Sequence, residues 1–153
     1  MHTSARQVRI RQLDDIAEAL PLRAATLSRL FLKRTSLGVS RTEAGVLRAV
    51  SIEPQRITDL AAAEGVTQPA ITLLVNRLQE RGWVVREPAP DDRRAVLVGL
   101  TPLGRQVLET LRAEYRALLH EEMAILSDED VNTLAGAIDI LDHLIARLGD
   151  RDP

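Results

Sequence analysis

ITDLAAAEGVTQPAITLLVNRLQERGWV, residues 57–84, is the stretch that decides the fold. Ile57, Leu60 and Ala61 share one side of a short amphipathic helix. Gly65 breaks that helix and permits the left-handed backbone of a tight turn. Thr67 stands as the cap of a second helix, and Pro69 fits its first turn because the early N–H groups have no intrahelical acceptor. That helix is expected to run to about Arg81 and to end at Gly82. Ile71, Leu74, Val75 and Leu78 recur at i, i+3, i+4 and i+7 and form its core face. Two helices joined by a glycine turn read as a helix-turn-helix.

On the C-terminal side, Trp83, Val84 and Val85 are strand formers, Pro88 and Pro90 interrupt, a charged DDRR follows at 91–94, and AVLVGL at 95–100 reads as a second strand. The two strands make a hairpin, or wing. Thr101-Pro102 opens a helix expected to reach Leu126, with Val107, Leu108, Leu111, Tyr115, Leu118, Leu119 and Met123 at helical spacing. Ser127 caps a last helix, striped by Val131, Leu134, Ile138, Leu141, Ile145 and Leu148. On the N-terminal side, Ser40 and Glu43 have capping-box spacing before a short helix from Arg41 to about Ser51. Residues 12–33 read as a helix that Pro21 kinks or restarts, preceded by a polar tail. The expected fold is mainly α: a winged helix-turn-helix over 40–100, with a small β-hairpin wing, and a helical dimerisation region built from 1–39 and 101–153.

Composition narrows the function. The only aromatic residues are Phe31, Trp83 and Tyr115, so the core must be aliphatic. The absence of cysteine excludes disulfides, thiolate metal sites and thiol-based redox sensing within this chain. No apolar stretch approaches the roughly 20 residues of a membrane helix, and the N-terminus has no apolar signal core, so no membrane partner and a cytoplasmic location are expected. The net charge of −2 is unevenly spread: residues 1–40 carry +4, residues 41–100 balance, and residues 101–153 carry −6. A nucleic-acid face would therefore be a local basic patch, with the acidic C-terminal third held away from phosphate. There is no Gly-rich phosphate loop, nucleophile elbow or HExxH motif, and neither an enzyme nor a cofactor is expected.

Gln68, Thr72 and Asn76 are expected on the side of the second helix opposite its core stripe. Amides and hydroxyls there suit base edges, and an amide can pair adenine bidentately. Arg93 and Arg94 at the hairpin tip would reach the adjacent minor groove, where narrow A·T-rich stretches attract arginine. Asp91 or Asp92 would pair with a neighbouring arginine and fix the loop. Simpler readings stand beside these: an ordinary amphipathic helix with a solvated outer face, a charged turn, or a winged module that binds protein instead of DNA. His143 and Asp139 are i, i+4 neighbours, and His120 precedes two acids, which leaves a metal-responsive regulator as a further alternative; no metal site is assigned.

The helix-turn-helix at 57–84 and the following DDRRAVLVGLTPLGR resemble the MarR family of transcriptional regulators, and the resemblance covers nearly the whole chain. Its specific parts are Asp92-Arg93-Arg94, Leu100-Thr101 and Gly104. The resemblance implies that the first and the last two helices pair with those of a second subunit. It places Arg94 as the minor-groove arginine and Arg77 as a residue that contacts the DNA backbone or braces the wing. It implies a small aromatic or anionic effector between the dimer and DNA-binding parts. The resulting expectation is a homodimeric repressor on palindromic double-stranded DNA, released by that effector. Thr67, Gln68, Pro69, Thr72, Asn76, Arg77, Arg93 and Arg94 would touch DNA, and Asp92 would brace the wing.

Overall fold

Ser40 and Glu43 close a reciprocal cap at the start of the winged module. The Ser40 N–H donates to the Glu43 carboxylate (2.8 Å), and the Glu43 N–H donates to the Ser40 hydroxyl (3.2 Å). This starts α2 (Arg41–Ile52), the second element of a computed structural model that describes residues 2–89 and 96–149. The others are α1 (His2–Arg34), β1 (Gln55–Arg56), α3 (Ile57–Glu64), α4 (Gln68–Glu80), β2 (Val84–Pro88), β3 (Val96–Leu100), α5 (Pro102–Met123) and α6 (Asp128–Gly149). Gly65, at φ +63°, makes the left-handed turn between α3 and α4.

The strands form one antiparallel sheet in the order β1-β3-β2, with Val84 opposite Leu100 and Arg86 opposite Val98. The two-residue β1 was not expected from sequence. It pairs Gln55 with Val98 and Arg56 with Leu97, and two residues are too few to carry a period. The aliphatic core joins Val46 and Leu47 of α2, Leu60 of α3, Ile71, Val75 and Leu78 of α4, Val84 and Val98 of the hairpin and Leu108 of α5.

Two compact units divide between Tyr115 and Arg116. The first contains α1, the winged module and most of α5. Within it the Ser36 N–H and hydroxyl both donate to the Glu114 carboxylate, and the rings of Phe31 and Tyr115 lie 5.4 Å apart. In the second unit the Ser127 hydroxyl accepts from the Asp130 N–H (3.1 Å) and caps α6, as its sequence predicts. No described residue of α6 is buried.

Two boundaries differ from the sequence reading. α1 begins at His2 rather than at residue 12 and continues through Pro21. Residues 5–11 contain neither glycine nor proline, so their polarity had concealed a helix-competent segment. Pro21 forfeits one backbone hydrogen bond in a 33-residue helix, which the flanking turns carry. α5 stops at Met123 rather than Leu126, where the Leu126 N–H turns back to the Met123 carbonyl (3.0 Å).

Candidate nucleic-acid interface

The first helix of the pair, α3, buries Leu60 and Ala61, and α4 buries Ile71, Leu74, Val75 and Leu78, the stripe its spacing predicts. At about 100° per residue, the direction opposite this stripe runs through Pro69, Leu73, Asn76 and Glu80. Gln68 and Thr72 sit on the flank of that face, because residues four apart drift by about 40° at each step. Gln68 and Asn76 are exposed and Thr72 is half-buried. Leu73 stands at the middle of the outward face, 60 % exposed. Gln68, Pro69, Thr72, Leu73 and Asn76 line one open depression. A polar residue at every fourth position does not by itself single out Leu73.

Hydrogen bonds restrict what this face offers. The Thr72 hydroxyl donates to the Gln68 carbonyl one turn back (2.8 Å). Arg86 Nη1 donates to Asn76 Oδ1 (2.7 Å) and to Gln79 Oε1 (2.9 Å). Arg86 thus ties the wing strand β2 to α4. Strand alternation was the available signal for it: Val84 faces the core, so Arg86, two residues on, turns to the same helix-bearing side. Thr67 is the N-cap of α4 but makes no side-chain cap hydrogen bond, so first-turn N–H groups stay open to an anion. Arg77 is exposed, with no ion pair among the described residues. Arg93, Arg94 and Asp92 lie outside the described residues.

The hairpin is fixed to the helices at its base. The Thr101 hydroxyl donates to the Gly82 carbonyl (2.6 Å), with the Trp83 carbonyl 3.1 Å away, and accepts from the Gly104 N–H (2.9 Å). The Arg81 guanidinium lies 4.8 Å over the Trp83 ring and 3.8 Å from the buried Glu43 carboxylate.

A separate cleft of about 160 Å³ opens between α1, α2 and α5, lined by Arg41, Arg48, Arg112, Tyr115, Leu111 and others. Burial raises the Tyr115 phenol above its ordinary value, with Arg48 opposing and Glu114 adding to the shift. Burial also raises the carboxyl of Glu64, at the end of α3, against the opposing pull of Arg41 and Arg48. His143 Nδ1 sits 2.8 Å from the main-chain oxygen of Asp139, not its carboxylate. Among the described residues no three His, Cys, Asp or Glu side chains gather as metal ligands, and no helix is long and apolar enough to cross a membrane.

This arrangement defines a winged helix-turn-helix protein. The sequence profile described as the MarR family matches residues 37–95. The putative transcriptional regulatory protein for the hcr operon of Thauera aromatica is 32 % identical over 68 % of this chain, and the chain spans 63 % of its length. An uncharacterized HTH-type transcriptional regulator of Mycobacterium bovis is 30 % identical over 85 % of this chain and 92 % of its own. The crystal structure of apo wild-type MarR from E. coli superposes with a TM-score of 0.68 at 26 % identity, over 84 % of this chain and 96 % of that one. The chain belongs to the MarR family of transcriptional regulators.

Proposed function

We propose that this protein is a sequence-specific DNA-binding regulator that represses transcription as a homodimer on a palindromic operator. The observation that carries the reading is α4: one face is locked in the core, the other is open, and Arg86 clamps it to the wing strand. Each α4 enters a major groove with Asn76 toward the base edges and Gln68 and Thr72 beside it on the flank of the reading face. Arg77 and the first-turn amides of α4, around Thr67 and Pro69, hold phosphates. Arg94, aided by Arg93, enters the minor groove from the wing, with Asp92 bracing the loop. Selection of bound fragments from genomic DNA tests the reading; recovery of random sequence would refute it.

Arg94→Ala is expected to weaken operator binding by about 1–3 kcal/mol without unfolding the protein. Fluorescence anisotropy measures it, and unchanged affinity would remove the wing from the interface. Arg86→Ala acts differently. It releases the Asn76 and Gln79 side chains, and the expected result is an operator affinity lower by about fivefold, the worth of one hydrogen bond. Thermal melting should move little, because the clamp lies at the surface. A variant that bound at full strength would leave the clamp without a part in recognition.

Release would come from the arginine-lined cleft. Its volume is close to the roughly 150 Å³ that holds a single aromatic ring, and three guanidinium groups favour an anion. Arg41 and Arg48 also act on Glu64, which directly precedes the Gly65 turn. An anionic effector would compete with Glu64 for them and couple the cleft to the reading helix, and the coupling must be reciprocal: operator DNA would weaken effector binding by the same factor.

A further inference from the structure

We propose that Leu73 and Asn76 together read a thymine, with Leu73 against its C5-methyl group and the Asn76 amide donating to its O4. This rests on the DNA-binding reading above and names the base that the centre of α4 selects. An isolated exposed leucine on a protein surface needs no explanation. Leu73 is different in position: it lies within about 30° of the direction opposite the core stripe, where α4 would enter a groove deepest. Pro69, one turn before it, adds a second apolar surface to the same depression, and Gln68, Thr72 and Asn76 form its polar rim.

The hydrogen bonds around the depression set the polarity of what it can accept. Arg86 holds Asn76 Oδ1, which leaves the Asn76 NH₂ group as the outward donor. The Thr72 proton is spent on the Gln68 carbonyl. The face therefore presents an apolar centre with the Asn76 amide donor beside it, and the Gln68 side chain lies farther out on the flank. In the major groove, thymine alone among the four bases carries a methyl group, and its O4 acceptor lies beside it. Adenine, the partner expected for an asparagine on sequence grounds, offers no apolar group, and its N6 donor would compete with Arg86 for Oδ1.

The test uses the whole 153-residue chain and an operator duplex taken from the selected genomic fragments. Each thymine of a half-site is replaced in turn by deoxyuridine, which removes only the methyl group, and anisotropy titrations follow. For the unaltered protein, one or two positions should lose about three- to tenfold in affinity, the scale of one buried methyl-sized group. Leu73→Ala should bind the thymine operator at that reduced level and lose nothing more with deoxyuridine. Leu73→Gln, which keeps side-chain length, should also be blind to the methyl; circular dichroism shows that both variants stay folded. If every deoxyuridine duplex bound within twofold of the parent, or if Leu73→Ala still lost affinity with deoxyuridine, the proposal would be overturned while DNA binding stood. If the genomic selection enriched no sequence, the DNA-binding reading would fall and this proposal with it.

Discussion

Gly104→Ala should destabilise the winged unit by about 3 kcal/mol or more, one of the largest effects expected of any single methyl group in this chain. Gly104 lies in the first turn of α5, where the helix runs against the backbone at Trp83. A Cβ at this position would overlap the Trp83 carbonyl oxygen and approach Leu100 Cδ1 to 2.8 Å. The obstacle is main chain, so no rotamer change relieves it. Nor is the Trp83 carbonyl free to move, because it accepts the Thr101 N–H at 3.1 Å. Its neighbours Val84 and Leu100 are paired across the base of the hairpin. The added methyl must therefore push α5 away from the wing or break the Thr101 cap. For a domain of this size the expected fall in melting temperature is roughly 6–12 °C, measured by circular dichroism. Thr101→Ala should cost less, about 1–2 kcal/mol, since it removes hydrogen bonds without forcing overlap. A Gly104→Ala protein that melted within a degree of the parent would show that α5 can slide along the hairpin.

The Gly104 contact also shows how sequence and structure divide the information. Leu100-Thr101 and Gly104 were visible as a family pattern, but spacing alone does not reveal that the glycine is required by the close approach of the Trp83 carbonyl, far upstream of it in sequence. The core face of α4 was legible because four aliphatic residues repeat with the helical period. The Ser40–Glu43 cap was legible because both partners lie within one turn. The outward face of α4 was read less well. A polar residue at every fourth position looks like a face, yet the drift of the helix carries Gln68 and Thr72 to its flank and leaves Leu73 at its centre. Arg86 is harder to read because the partners of a strand residue depend on the helix that its side of the strand packs against, and alternation from Val84 gives the side but not the partners Asn76 and Gln79.

Replacing Leu141 and Ile145 together with Asp is expected to abolish the proposed tight operator binding by breaking the proposed dimer. Ile138, Ile145 and Leu148 on one stripe of α6 are 52 %, 66 % and 64 % exposed, and Leu141 between them is half-buried. On α1, Leu13 and Ile16 are 55 % and 58 % exposed. Such long apolar stripes exceed what a solvated helix needs, and a second copy of the chain is the partner that would cover them. Two carboxylates per protomer placed in that apolar contact would each have to be desolvated. A loss of about 4 kcal/mol weakens association about a thousandfold. The winged unit contains the buried core and should keep its structure. A lone subunit then presents one reading helix, so residual DNA binding should be weak, steeply salt-dependent and indifferent to palindromy. Sedimentation velocity reads the first part, and anisotropy on paired and single half-sites at two salt concentrations reads the second. A double variant that still sedimented as a dimer and gripped the palindrome at full strength would place the subunit interface elsewhere than on α6.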